Sequence, residues 1–162
     1  MLLALILFAS LLSPQGKDST EPPAGARAVY VVEGRGVQIY RCAQQGPEFG
    51  WVFDAPEAKL FDASTQEQMG THGAGPVWTW KDGSSVTGKV LEKAASPDPT
   101  SIPWLLLAAT PTGTNGALSK VAFVRRSETH GGNAPATGCD AEHAGGVLRV
   151  PYTATYSFYG AQ

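Results

Sequence analysis

Apolar and polar residues alternate with a period of two along much of this chain. In the clearest stretch Tyr152, Ala154, Tyr156 and Phe158 fall on one face, with Thr153, Thr155 and Ser157 on the other. That is the pattern of a strand with one face buried. Val37 and Ile39 share a face opposite Gln38 and Tyr40, and Trp78 and Trp80 share one with Thr79 between them. Residues 86–90 (Val86-Thr87-Gly88-Lys89-Val90) and 121–124 (Val121-Ala122-Phe123-Val124) read as further strands. Ile102-Pro103-Trp104-Leu105-Leu106-Leu107 is continuously apolar after its proline, as expected of a strand buried on both faces.

Turn signals punctuate these segments at short intervals: Glu33-Gly34-Arg35-Gly36, Lys81-Asp82-Gly83-Ser84, Ser96-Pro97-Asp98-Pro99 and 111–116. Asp82-Gly83, between Trp80 and Val86, suits the primed turn of a hairpin. Glycine and proline together number 31 of 162 residues, which breaks any long helical pattern. Only Ala63-Ser64-Thr65-Gln66-Glu67-Gln68-Met69 could form a helical turn or two. About eight to ten short strands with polar turns predict an all-β, antiparallel sandwich or barrel with little helix. Residues 27–162 form its single domain, and residues 17–26, with Pro22-Pro23 and Gly25, read as a flexible leader.

The first residues differ in kind. Leu2 to Leu12 is an uncharged apolar run followed by Ser13-Pro14-Gln15-Gly16, so residues 1–16 read as a signal peptide. The run is too short to span a bilayer. No Lys or Arg precedes it and no small-x-small cleavage site follows, and the alternative is an apolar strand or helix of the core. Cys42 and Cys139 are the only cysteines. An even count in an exported chain points to a disulfide, against the alternative of two separate buried thiols.

Composition narrows the function classes. Charged residues are 16% of the chain, below the roughly 25% usual for soluble domains, and 43% are hydrophobic, which argues against disorder. The formal net charge is −2, and Lys and Arg cluster nowhere beyond Arg125-Arg126. A nucleic-acid binder needs a basic stripe to neutralise phosphates, so that class is set aside.

Candidate chemistry concentrates in the Gly- and Pro-rich segment from Thr129 to His143, which reads as a long loop and holds His130, Cys139, Asp140, Glu142 and His143. With His72, from the Gly-rich run Thr71-His72-Gly73-Ala74-Gly75-Pro76, the residues His130, Asp140, Glu142 and His143 could in principle hold zinc or copper, whereas neither cysteine has a second one at ligand spacing. No H-x-H or H-E-x-x-H spacing supports that, and no G-x-S-x-G elbow marks a serine nucleophile. Trp78 and Trp80 either fill the core or line an exposed platform for a sugar or apolar ligand.

Several blocks occur in a fixed order: Gly36-Val37-Gln38-Ile39-Tyr40-Arg41-Cys42, then 51–61 from Trp51-Val52-Phe53-Asp54, then Ser96-Pro97-Asp98-Pro99 running into Trp104-Leu105-Leu106-Leu107. Val121 to Arg126, Gly131-Gly132, Thr137-Gly138-Cys139-Asp140 and Val150-Pro151-Tyr152 follow. Over residues 27–159 the chain resembles the domain-of-unknown-function 3455 family of secreted bacterial and fungal proteins. The resemblance implies no established activity. Some fungal members carry a dehydrogenase label, but Gly34-Arg35-Gly36 is only a G-x-G with Ile39 where a third glycine would stand. The expected role is that of a non-catalytic binding or structural module, secreted or in the cell envelope, with no cofactor and with a glycan or small apolar molecule as the ligand class. The alternative is a hydrolase or metal-dependent enzyme using His72, His130, Asp140 and His143.

Overall fold

The computed structural model describes residues 18–160, so the expected signal peptide at 1–16 lies outside the described residues. Eight strands follow in chain order: β1 (Arg27–Gln45), β2 (Glu48–Asp62), β3 (Gln68–Gly73), β4 (Val77–Trp80), β5 (Ser85–Ala94), β6 (Trp104–Pro111), β7 (Val121–Gly131) and β8 (Val147–Gly160). Each is antiparallel to the next, and β8 returns to pair with β1 from Arg27–Gly160 to Arg41–Val147. Of the two expected architectures the structure is therefore the barrel, which leaves the sheet without an outermost strand. No helix among the described residues is long and apolar enough to cross a membrane.

Inward-facing side chains fill the barrel most densely at one end. Its lower part, toward the β4–β5 turn, is aromatic and aliphatic: Trp78, Trp80, Tyr156 and Phe158 pack with Val32, Leu60, Val86 and Val124, all nearly or fully buried. The rings meet edge to face, with Trp80–Phe158 centroids 5.1 Å apart and Trp78–Tyr156 5.9 Å apart, the arrangement their quadrupoles favour. Space for them comes from glycine. A Cβ on Gly34 would stand 2.6 Å from the Tyr156 ring, and one on Gly88 would stand 2.7 Å from the Trp78 ring. Gly34-Arg35-Gly36 is thus a packing feature of the barrel wall.

The hairpin expected at Lys81-Asp82-Gly83-Ser84 joins β4 to β5, with Gly83 at φ 85° and the Asp82 carboxylate accepting from the Ser84 amide at 2.9 Å. Residues 63–69 do not form a helix. The Asp62 carboxylate accepts from the amides of Ser64 and Thr65, which makes 63–65 a turn, and Gln68 and Met69 already belong to β3. The apolar run from Ile102 enters the sheet only at Trp104. There Leu105 and Leu107 face the interior, while Leu106 is 4% exposed on the opposite face. The segment read as a leader is anchored from Asp18 onward: Arg125 on the outside of β7 pairs with Asp18 at 2.9 Å and Glu21 at 3.1 Å, and Thr20 is fully buried.

The β7–β8 connection is shorter than the sequence suggests, because Thr129, His130 and Gly131 belong to β7. It runs over the upper end of the barrel and contains one 3₁₀ turn, Ala141–His143, capped by the Asp140 carboxylate. Cys139 is disulfide-bonded to Cys42 on β1, with Cα atoms 5.4 Å apart, and Trp51 Nε1 donates to the Thr137 carbonyl at 3.0 Å.

Two consequences are measurable. The crosslink closes a loop of 97 residues, so replacing both cysteines with alanine is expected to lower stability by about 2–5 kcal/mol; a denaturant midpoint indifferent to the change contradicts this. Gly88→Ala drives a methyl into the Trp78 ring and is expected to cost about 1–3 kcal/mol, read from the thermal midpoint, whereas Gly50→Ala, where the added methyl meets nothing within 4 Å, is the matched control.

Candidate ligand-binding site

The barrel wall is uneven. β3 has six residues and β4 four, against 15 in β2 and 10 in β5. β2 pairs with β3 only through Ala58–Phe61, and β5 with β4 only through Ser85–Thr87. Above the β3–β4 turn, β2 and β5 therefore flank a notch with no strand between them. The β5–β6 loop is stitched to β7 opposite this notch: Thr129 Oγ1 donates to the Ile102 carbonyl at 2.6 Å, and the Gly131 amide to Ser101 Oγ at 2.8 Å. Tyr40 donates to the Gly132 carbonyl at 2.6 Å, fixing the start of the β7–β8 loop.

Inside the notch lies a recess of two compartments. The inner one, about 150 Å³, lies among His72, Trp78, Leu107 and Tyr156. The outer one, about 390 Å³, adds Tyr40, Lys93, Ile102, Pro103 and Asn133. Gln38, Phe53, Val90, Leu105 and Arg126 line both, and so stand at the junction. Phe53 and Val90 are apolar yet half exposed, at 51% and 50%. A larger groove of about 560 Å³ runs over the outer surface beside Arg35, Lys59 and Arg149. Its Arg35 and Arg149 are paired with Glu33 and Glu57, and it is open to water, so the interior recess is the better-built site.

Two residues of the lining carry buried donors that have no protein partner. Gln38 Nε2 and Trp78 Nε1 are buried and make no hydrogen bond, although buried polar atoms are almost always paired. Arg126 points inward from β7 and gives Nε and Nη2 to the Pro103 carbonyl at 3.0 and 2.8 Å. Among the described residues it has no carboxylate within ion-pair distance. Tyr152 and Tyr156 bond hydroxyl to hydroxyl at 2.9 Å. Burial pushes both phenols up, so they stay protonated.

His72 belongs to this interior. It stacks on Trp78 with centroids 4.4 Å apart and planes 7° from parallel. Its Nδ1 donates to the Val77 carbonyl at 2.9 Å, which leaves Nε2 as an acceptor in the neutral ring. Burial lowers its pKa to about 4, with the Val77 bond pulling it up and the Arg126 charge pushing it down.

The other residues singled out in the sequence are elsewhere. His130 is exposed on the outside of β7, beside Asp98 and Trp104. Asp140 and His143 pair with each other at 2.6 Å within the exposed 3₁₀ turn. No hydrogen bond or ion pair joins His72, His130 and the Asp140–His143 pair, and no three His, Cys, Asp or Glu side chains among the described residues come together to hold a metal. Trp78 and Trp80 are 1% and 4% exposed, so they form no surface platform; Trp78 instead belongs to the lining of the inner compartment. Gln38, Phe53 and Arg126 were not anticipated as site residues. One signal existed in the sequence: if the alternation of β7 continues past Val124, one of the adjacent Arg125 and Arg126 must face inward.

Fold and site together define a closed up-and-down barrel with a donor-lined internal recess. The chain belongs to the family described as "Protein of unknown function (DUF3455)", which matches residues 23–160. No curated protein and no solved structure matches it.

The buried histidine makes stability depend on pH. In the unfolded chain its pKa is near 6.5 and in the fold about 4, so between these values the unfolded state binds more protons and stability falls as pH falls. From pH 7 to pH 5 the expected loss is about 2 kcal/mol. The carboxylates held low by hydrogen bonds, such as Asp98 at about 2, contribute only below that window. Denaturation of His72→Phe over the same range should show a flatter profile; an unchanged slope rules out His72 as its source.

Proposed function

We propose that this protein is a non-catalytic binding module, exported from the cytoplasm, that holds a small molecule in the upper half of its barrel. One observation carries the reading: Gln38 and Trp78, whose Nε2 and Nε1 are buried donors without partners, both belong to the lining of a recess whose mouth is apolar. Leaving a buried donor unpaired costs about 1–3 kcal/mol, and a bound molecule with acceptor atoms removes that penalty. Concave, mostly apolar recesses with a few placed polar groups are what small ligands require. Burial of Trp78 and Trp80 favours such an enclosed ligand over a glycan laid on a surface aromatic platform. Export rests on the Cys42–Cys139 disulfide, since such bonds persist in oxidising compartments.

A fragment screen read by amide and indole NMR signals tests the reading. Ligands of the recess are expected to move the Trp78 indole N–H and the Gln38 side-chain amide together. A library whose binders shift only outer-surface signals, with these two unmoved, counts against it.

A further inference from the structure

Building on the recess as a ligand site, we propose that its ligand is a small apolar carboxylate, its head held by Arg126 at the junction of the two compartments and its body laid against Phe53, Val90 and Leu105. Charge is the first argument. Arg126 is the only cation lining both compartments, and Lys93 adds a second at the outer one. The single acid on the lining, Asp54, sits at the rim, half exposed and paired with Arg41 at 3.3 Å. A guanidinium has five N–H donors, and the Pro103 carbonyl occupies the Nε and Nη2 side of Arg126. Among the described residues its charge has no counter-ion, and a neutral carbonyl cannot neutralise it.

Donor balance is the second argument. Trp78 can only donate, and Gln38 offers a free amide N–H. The acceptors nearby are largely committed: the Val77 carbonyl to His72, the Pro103 carbonyl to Arg126, and the two tyrosine hydroxyls to each other. His72 Nε2 is the one ring acceptor left. A ligand must therefore bring several acceptor lone pairs and a negative charge, and a carboxylate brings both on one small group.

Shape and polarity set the rest of the molecule. The apolar walls are Phe53, Val90 and Leu105 at the junction and Pro56 and Leu107 inside it, so a polyhydroxylated or multiply charged body would lose its hydration without replacement. The inner compartment, about 150 Å³, matches the size of a cavity that takes a single benzene ring. The outer one leaves room for a short chain or a second ring. Phosphate and sulfate fit the charge but supply no body to cover Phe53 and Val90.

Calorimetric titration of the oxidised protein with 3-phenylpropanoate and octanoate, each against its uncharged counterpart (3-phenylpropanamide and octan-1-ol), decides the matter. The acids are expected to bind about ten-fold tighter, because charge-assisted hydrogen bonds are roughly twice as strong as neutral ones. Acetate, which has no body, should bind far more weakly than either acid. In Arg126→Met the preference for acid should vanish while the amide binds as before, and Arg126→Lys should keep part of it. If Arg126→Met does not fold, the comparison of acid with amide on the unaltered protein still decides. Amide and alcohol binding as tightly as the acids, with the Trp78 indole shifted, overturns the carboxylate class and leaves the recess a ligand site. Failure of every probe overturns it too, and if the fragment screen also leaves Trp78 unmoved, the reading of the recess falls with it.

Discussion

The barrel closes because rings from β4 and β8 interlock at its centre against glycines of β1 and β5. Trp78 and Trp80 meet Tyr156 and Phe158 edge to face, and Gly34 and Gly88 recede to admit Tyr156 and Trp78. Each glycine lies on the strand next to the ring it admits, so the ring can lie across the inner face of its neighbour. Burying large aromatic surfaces is also the main favourable term available to a chain with this much glycine and proline, whose backbone loses more entropy on ordering at each glycine. Closure then removes the last free edge of the sheet.

The same packing explains where the barrel is not filled. Four aromatic residues occupy its lower and middle levels, while above them the short β3 and β4 stop early and the wall is low. Gln38, His72, Trp78 and Arg126 line that space. These groups oppose stability: each is a polar atom withdrawn from water with partial compensation or none. The fold tolerates them because the rim is held independently, by the Cys42–Cys139 bond, by Thr129 and Ser101 stitching the β5–β6 loop to β7, and by Tyr40 on the Gly132 carbonyl. A recess whose rim is held in this way needs no ordering of that rim to admit a small molecule.

Parts of this were legible residue by residue. The alternation Tyr152, Ala154, Tyr156, Phe158 is the inner face of β8, with all four side chains buried. Asp82-Gly83 makes its hairpin, and the two cysteines pair. The site was harder to see. His72 sits in Gly-rich sequence that looks like a turn, yet it is a buried β3 residue stacked on Trp78. Arg126 and Gln38 are polar residues in strands, which ordinarily face water, so residue type does not distinguish them from Arg125 on the outer surface; for Arg126 only the alternation continued from Val124 does. Trp78 and Trp80 share a face as expected, but whether that face looked inward or outward was not decidable from one strand.

By itself the sequence determined the all-β class, the antiparallel order implied by short turns, the family and the small set of residues able to crosslink. These follow from interactions a few residues long: side-chain alternation, turn conformations open to Gly and Asp, and the chemistry of cysteine. Tertiary structure decided that the sheet is a barrel, which face of each strand is its interior, and that a donor-lined recess remains there. It also separated His72 from His130, Asp140 and His143, which sequence had left together as possibilities. The physical reason is that inside and outside exist only once residues 27–41 pair with 147–160. That contact spans nearly the whole described chain, and no periodicity within a single strand can encode it.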